Sequence, residues 1–245
     1  MEKTLYLDCS AGISGDMVVG ALIDLGADAD KLTEVLGSLQ SKDFIIKIIK
    51  MEKNGVLCTD FDVILENKEV ERHRHPSDVM NVINSSSATD RAKSIAGDIV
   101  SILAKAESDV HGVSESEVHF HEVGGIDSIA DILAVGVCMD DLGIERTVVT
   151  SLYDGKGTVQ CQHGILPVPV PAVSSIIRDN KITVYITDVH GEMVTPTGAA
   201  IAAALRTDRE LPQTYRILKE GFGSGKRDFG TSGYLRAVLI EPDRW

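Results

Sequence analysis

The sequence predicts an α/β fold, a mixed sheet with flanking helices, and three observations predict it. Short apolar β-type runs alternate with helical runs along the chain. An Asn54-Gly55 dipeptide joins two β-rich segments. Glycine-bearing loops lead repeatedly into helices. An α+β arrangement is the alternative, and 245 residues admit one large domain or two intimately packed subdomains, divided as 1–145 and 146–245. With 43% hydrophobic and 25% charged residues, such a chain buries a core without disulfides or a structural metal.

Leu5 to Leu7 is an apolar strand, followed by the small-residue loop Ser10 to Asp16 and a helical run through Leu25. Phe44 to Lys50 and Val56 to Leu65 form a hairpin, because both central residues of a type I′ turn need positive φ and Asn-Gly supplies it. After a charged, histidine-bearing tract from Asn67 to His75, Pro76-Ser77-Asp78 opens an amphipathic helical pattern. It breaks at Ser85 to Ser87 and continues to about Glu107. A further helix runs from Ile126 to Gly143, with Ile129, Ile132, Leu133, Val137 and Leu142 on one broad face. Beyond Thr147, strands at Val148–Leu152, Val184–Ile186, Arg216–Leu218 and Leu235–Ile240 alternate with helices near Ala172–Arg178 and Thr197–Leu205.

The formal net charge is −13, from 24 basic and 37 acidic residues, which argues against a nucleic-acid partner: a phosphate backbone demands clustered cations. Cys9, Cys58, Cys138 and Cys161 form no C-x-x-C pair, so neither a zinc knuckle nor a dithiol motif is present, and a reducing cytoplasm is the expected compartment. Asp8 interrupts the N-terminal region before any signal-peptide core, and no apolar run approaches the ~18 residues of a membrane span.

The densest group of chemically capable residues is Val118 to Asp127. In an extended His119-Phe120-His121 the two imidazoles face one side, because side chains alternate along a strand. Imidazole suits nickel, zinc, copper and iron, and Glu122 or Asp127 adds a carboxylate to an N/O set. Asp127 and Asp131, at i and i+4, share one helical face. The competing reading is a strand end followed by carboxylates that complement a helix N-terminus. Arg72-His73-Arg74-His75 is a weaker cation site because its arginines repel a metal. His111, His163 and His190 each precede glycine, and Cys161-Gln162-His163 offers a thiolate and an imidazole to a soft metal.

Three glycine-bearing loops suit an anion: Ser10 to Asp16, Thr195-Pro196-Thr197-Gly198, and Gly221 to Arg227. The first, with Ser14-Gly15-Asp16, is neither a dinucleotide fingerprint nor a P-loop. In the second, Thr195 is placed as an N-cap and Pro196 at N1, as in any capped helix. The third adds Lys226 and Arg227 to glycines including Gly225 and is the best phosphate candidate on physical grounds, a surface turn being its alternative.

Several of these segments together resemble the LarC-type nickel-insertion family. They are Leu7-Asp8 with Ser10 to Met17, Glu117 to Gly124 with Ile126 to Ile129 and Asp131, His163 to Pro169 with Pro171-Ala172, Gly191-Glu192 with Thr195 to Ala200, and Gly221 to Asp228. The resemblance implies an α/β protein that inserts Ni²⁺, the substrate metal, into a pyridinium bisthiocarboxylic acid mononucleotide. The product is the nickel-pincer nucleotide of lactate racemase, the recipient, and the reaction is CTP-dependent. It implies His119, His121 and Asp131 for nickel, and Glu122, Asp127 and Asp16 for ligation or proton abstraction. Ser14, Gly15, Thr195, Thr197, Gly198, Gly225, Lys226 and Arg227 fall to the substrate phosphate. It further implies that CTP, with Mg²⁺ or Mn²⁺, binds a C-terminal domain beyond this part, in the same or a partner chain. A homo-oligomer is compatible with all of this. The rival readings are a nickel- or nucleotide-binding subunit without turnover, and a metal-dependent hydrolase built on His119, His121 and Asp127.

Overall fold

A computed structural model describes residues 3–39, 44–65, 74–120, 124–161 and 163–243. Strand β1 (Thr4–Asp8) leads through the Ser10–Asp16 loop into α1 (Gly15–Leu25). Helix α2 (Ala29–Gly37) follows, capped by Asp28, whose carboxylate accepts from the Asp30 and Lys31 amides at 3.0 and 3.1 Å. The sequence-based expectation held no helix here, although the Asp28 cap and the buried Leu32, Val35 and Leu36 at i, i+3 and i+4 are both legible in the chain. Strands β2 (Phe44–Lys53) and β3 (Val56–Leu65) form the expected hairpin, with Asn54 at φ 48° and Gly55 at φ 81°.

Two helices replace the single broken pattern, α3 (Pro76–Ser85) and the longer α4 (Asp90–His111), and α5 (Ile126–Asp141) stops before Gly143 at φ 62°. The expected strand Val148–Leu152 is two strands in different sheets, β4 (Arg146–Val148) and β5 (Ser151–Lys156). A hairpin absent from the sequence-based expectation follows, β6 (Thr158–Cys161) and β7 (Gly164–Pro167). The chain then runs through α6 (Pro171–Asn180), β8 (Thr183–His190), α7 (Pro196–Leu205), β9 (Tyr215–Ser224) and β10 (Tyr234–Pro242).

The main sheet has six strands in the order β2-β3-β9-β10-β1-β4, mixed in direction, as the α/β reading expects. β1 lies antiparallel to β10 and parallel to β4, so segments from both ends of the sequence share one sheet. β5 and β8 form a separate parallel pair. Helix α1 lies directly on β3, β9 and β10, with α5, α4 and α7 packed behind it. Leu5, Leu7, Phe61, Val18, Leu22, Ile129, Leu133, Ile201 and Leu235 are buried in one continuous apolar core.

The glycines at the start of the third predicted loop have a different job from the one expected. Gly221 and Gly223 belong to strand β9 and lie under α1; a Cβ on Gly223 would stand 1.8 Å from the Met17 carbonyl oxygen. Their lack of a side chain lets a helix backbone settle onto a strand backbone, so only Gly225-Lys226-Arg227 remain as a loop beyond the strand.

Candidate functional site

The three small-residue segments meet. The start of α1, the Glu192–Thr195 connection before α7, and the Gly225–Gly233 connection after β9 enclose a cleft of about 290 Å³. Ser14, Asp16 and Met17 line it from the first segment, Glu192, Met193 and Thr195 from the second, and Gly225, Lys226, Arg227 and Phe229 from the third.

Backbone pairing sets this geometry. The Ile13 amide donates to the Met193 carbonyl at 2.9 Å and the Thr195 amide to the Ile13 carbonyl at 3.1 Å, so the first two loops form a single rung of parallel bridge. Gly198 completes the fit, since a Cβ there would stand 2.2 Å from the Ile13 carbonyl oxygen. Thr195 caps α7 by accepting the Gly198 amide at 3.1 Å. The third loop closes on itself through the Gly225 amide and the Gly233 carbonyl at 2.9 Å.

A residue the sequence did not single out holds the second loop. Asp154 is fully buried at the end of β5, and its Oδ1 accepts the amides of Gly155, Met193 and Val194 at 2.8, 2.8 and 3.1 Å. Burial pushes its carboxyl up, and the three amide donors pull it back. Asp154→Ala removes one acceptor from three buried donors, each costing about 1–3 kcal/mol when orphaned, so an overall loss of about 3 kcal/mol or more is expected. Asp154→Asn keeps the acceptor oxygen and is expected to lose less. Chemical denaturation checks this ranking, and equal midpoints for the two variants would refute it.

The electrostatics centre on carboxyls gathered around α1. Asp16 Oδ1 accepts from the Ser14 hydroxyl and from the Met17 amide at 2.9 Å, yet burial outweighs these bonds and raises its pKa. Asp131 reaches the α1 N-terminus from α5, where Gly15 makes room: a Cβ on Gly15 would meet Asp131 Oδ2 at 2.6 Å. Burial, then the charges of Asp16 and Asp127, push the Asp131 carboxyl well above the usual carboxylate range, against a smaller opposing pull from Lys226. Neither cleft cation is bare. Lys226 Nζ lies 2.8 Å from Asp60 Oδ1 and 3.6 Å from Asp62 Oδ2, and Arg227 Nη1 lies 3.2 Å from Glu192 Oε2.

Ser14, Asp16, Thr195, Gly225, Lys226 and Arg227 therefore line one cleft, with Gly15, Gly198 and Asp131 directly behind its wall. Thr197 lies in the first turn of α7 and Asp127, exposed, in that of α5; neither lines the cleft. His119 does not line it either. His119 projects outward between buried Val118 and Phe120, as period-two alternation requires. His121 and Glu122 lie outside the described residues, as do Arg72 and His73.

What the spacing hid is the neighbour of His119. The Phe120 amide donates to the Arg74 carbonyl at 2.9 Å, and this bridge sets the rings of His75 and His119 with centroids 3.9 Å apart. His75 Nδ1 lies 2.9 Å from the Val118 carbonyl oxygen, leaving Nε2 as its other ring nitrogen. The tract set aside for its arginines thus contributes an imidazole beside His119. Asp60, Asp62 and Glu192 were missed as well. Asp60 and Asp62 stand two apart on a strand, a pattern common on solvated sheet faces, and only the fold aims them at Lys226. Among the described residues, no three His, Cys, Asp or Glu side chains already converge on one metal position, and no helix is long and apolar enough to cross a membrane.

The sequence matches the nickel insertion protein family over residues 5–244. It is 46% identical, over an alignment of 260 residues, to the pyridinium-3,5-bisthiocarboxylic acid mononucleotide nickel insertion protein of Alkaliphilus metalliredigens, covering 100% of this chain and 62% of that protein. The protein of the same name from Acetivibrio thermocellus is 39% identical, covering 97% of this chain and 60% of the relative. That from Staphylococcus saprophyticus is 38% identical with the same coverages, 97% and 60%. The chain thus spans about six-tenths of the length of these curated relatives. No solved structure matches it.

Proposed function

Because the chain belongs to the nickel insertion protein family, we propose that it takes part in inserting nickel into a pyridinium-3,5-bisthiocarboxylic acid mononucleotide, the substrate named for its relatives. The observation that carries this reading is the meeting, in one cleft, of a helix N-terminus, two cations and Asp16, with Asp131 buried behind the wall and both carboxyls shifted upward.

Each feature answers a demand of the reaction. The substrate's single phosphate needs amide donors and positive charge; the first turn of α1 at Ser14-Gly15-Asp16, with Lys226 and Arg227, supplies them, while Thr195 and Gly225 line the cleft with their own amides paired to Ile13 and Gly233. Thr197 and Gly198 set the start of α7 against the same loop. As the carbon–nickel bond forms, the ring carbon releases a proton, which requires an acceptor. A carboxyl shifted upward by burial holds a proton nearer neutral pH than an ordinary one, and Asp16 and Asp131 are both so shifted. In this reading the nickel ion, as substrate, arrives past His119 and His75.

A nucleoside triphosphate carries more negative charge than the single phosphate assigned to this cleft, whose cations Lys226 and Arg227 stand beside Asp16 and Glu192 and suit the smaller charge. CTP with its Mg²⁺ or Mn²⁺ is therefore assigned to the remaining four-tenths of the relatives' length, and no step here runs through it. The same coverage favours a second reading, a nickel- and substrate-binding subunit that turns over only with that remaining part. A lactate racemase apoenzyme is the proposed recipient of the product.

Combining the purified chain, the mononucleotide, Ni²⁺ and CTP, with and without the C-terminal part of a relative, tests both readings by mass spectrometry of the nickel-bearing product. Product only with the added part selects the subunit reading; no product in either case overturns the proposal. Lys226→Ala/Arg227→Ala is expected to raise the mononucleotide dissociation constant about 10- to 100-fold, the scale of charge-assisted bonds to phosphate. An unchanged constant removes the phosphate assignment.

A further inference from the structure

We propose that Phe229 is the ring-binding wall of the cleft, stacking on the cationic pyridinium of the substrate while Lys226 and Arg227 hold its phosphate. The inference rests on the mononucleotide reading above and adds the group that recognises the ring.

Phe229 is not placed as a core residue. Of the five phenylalanines, Phe61 and Phe120 are fully buried, as the hydrophobic effect favours for an aromatic ring. Phe229 instead stays half-buried, and it is the only aromatic side chain among the described residues that line the cleft. The surrounding backbone holds it there. Gly191, in a left-handed conformation at φ 124°, is fixed to β5 by its amide bond to the Lys156 carbonyl at 3.0 Å. A Cβ on Gly191 would stand 2.9 Å from Phe229 Cε1, 3.7 Å from Cζ and 3.8 Å from Cδ1, so one edge of the ring rests on the bare glycine. The loop that carries Phe229 is tied down on both sides. Asp228 Oδ1 accepts the Gly230 amide at 2.9 Å, and Asn54, in the β2–β3 turn, donates to the Thr231 and Ser232 carbonyls at 2.7 and 3.1 Å. Across the cleft, Arg227 Nη1 donates to the Glu192 carbonyl at 3.3 Å. A ring held this way is ordered before any ligand arrives, which lowers the entropy cost of binding.

The chemistry of the wall selects an electron-poor ring. The face of a phenyl ring carries negative potential, and a pyridinium is a flat cation, so stacking the two adds an electrostatic attraction to the dispersion that any ring would gain. Asp16 and Glu192, which line the same cleft, add negative charge that favours a ring cation. A neutral ring on the same sugar phosphate lacks both of these attractions. The wall therefore distinguishes an N-ribosylated pyridinium from other mononucleotides, a distinction that the phosphate contacts cannot make.

Calorimetric titration of the full chain tests this with three probes: nicotinamide mononucleotide, its 1,4-dihydro form, which keeps the sugar phosphate and loses the ring charge, and ribose 5-phosphate. Wild type is expected to bind the pyridinium form at least about 5-fold more tightly than either of the others. Phe229→Leu is expected to weaken the pyridinium form about 5- to 30-fold, the range of a cation–π contact, and to leave ribose 5-phosphate unchanged. Phe229→Trp should keep the tight binding. Its emission should be quenched by nicotinamide mononucleotide far more than that of wild type, whose only tryptophan is Trp245, and ribose 5-phosphate should quench neither. Equal losses for all three probes in Phe229→Leu would make the residue a structural support and overturn the proposal. Equal wild-type affinities for the three would overturn it too, with the phosphate assignment left standing. If ribose 5-phosphate and both nucleotides fail to bind, the mononucleotide reading falls and the ring wall with it. Neither nickel nor CTP takes part, so the outcome of the insertion assay does not decide this one.

Discussion

Gly223→Ala is expected to lower the melting temperature by about 10–20 °C. The added Cβ would stand 1.8 Å from the Met17 carbonyl oxygen, 2.6 Å from the Ala21 amide nitrogen and 2.8 Å from the Met17 carbonyl carbon. All three are backbone atoms of α1, so no side chain can swing aside to relieve the clash. The helix must lift from β9, uncovering the core between them. Overpacking a core by a methylene costs about 1–3 kcal/mol where side chains can adjust. A clash between two backbones belongs near the ~4–5 kcal/mol extreme of single substitutions. At roughly 2–4 °C per kcal/mol for a chain of this size, that gives the stated shift. Gly37→Ala is the control: it ends α2 with open space around it and is expected to be neutral or slightly stabilising. Thermal unfolding followed by circular dichroism decides between them. A Gly223→Ala protein melting within 3 °C of wild type would mean that α1 does not rest on β9 as described, and the cleft built at the start of that helix would be in doubt with it.

Asp131→Asn is expected to separate stability from activity. The Asp131 carboxyl is pushed up by burial and by the neighbouring charges of Asp16 and Asp127. Between the ordinary carboxylate range and its own raised value, the folded protein keeps a proton that the unfolded chain has released. Stability from this group therefore falls as pH rises through that window, and the penalty is complete above it. An amide carries neither proton nor charge. The Asn variant should match wild type in acid and exceed it at neutral pH, by about 1 kcal/mol or roughly 2–4 °C. If the chain inserts nickel as proposed, with Asp131 taking the ring proton, insertion should by contrast fall about 100-fold or more, the usual contribution of a positioned proton acceptor. Parallel melting-temperature profiles from pH 5 to 8 would refute the electrostatic account; undiminished insertion would remove Asp131 from the chemistry and leave Asp16 as the acceptor.

Much of the fold was legible in order along the chain. Asn54-Gly55 specified a hairpin because its turn needs two positive φ angles, and Pro196 with Thr195 specified a helix start through a fixed φ and a capping oxygen. These are local causes, confined to a few consecutive residues. Where the sequence reading went astray, a distant partner was responsible. Val148 to Leu152 reads as one apolar strand but divides between two sheets, because β4 pairs with β1 while β5 pairs with β8. Gly221 and Gly223 read as an anion loop because close helix packing and anion binding both call for residues without a Cβ.

By itself the sequence determined the class of fold, the capped helix starts, the small-residue segments and the family, since each rests on residue types and spacings that survive without coordinates. Only the tertiary structure decided that the three small-residue segments share one cleft, that His75 stands against His119, and that Asp131 reaches the first turn of α1. The physical reason is range: a cap or a turn is fixed within a few residues, whereas burial and the charge of an approaching carboxylate depend on segments more than a hundred residues apart, brought together when the core closes.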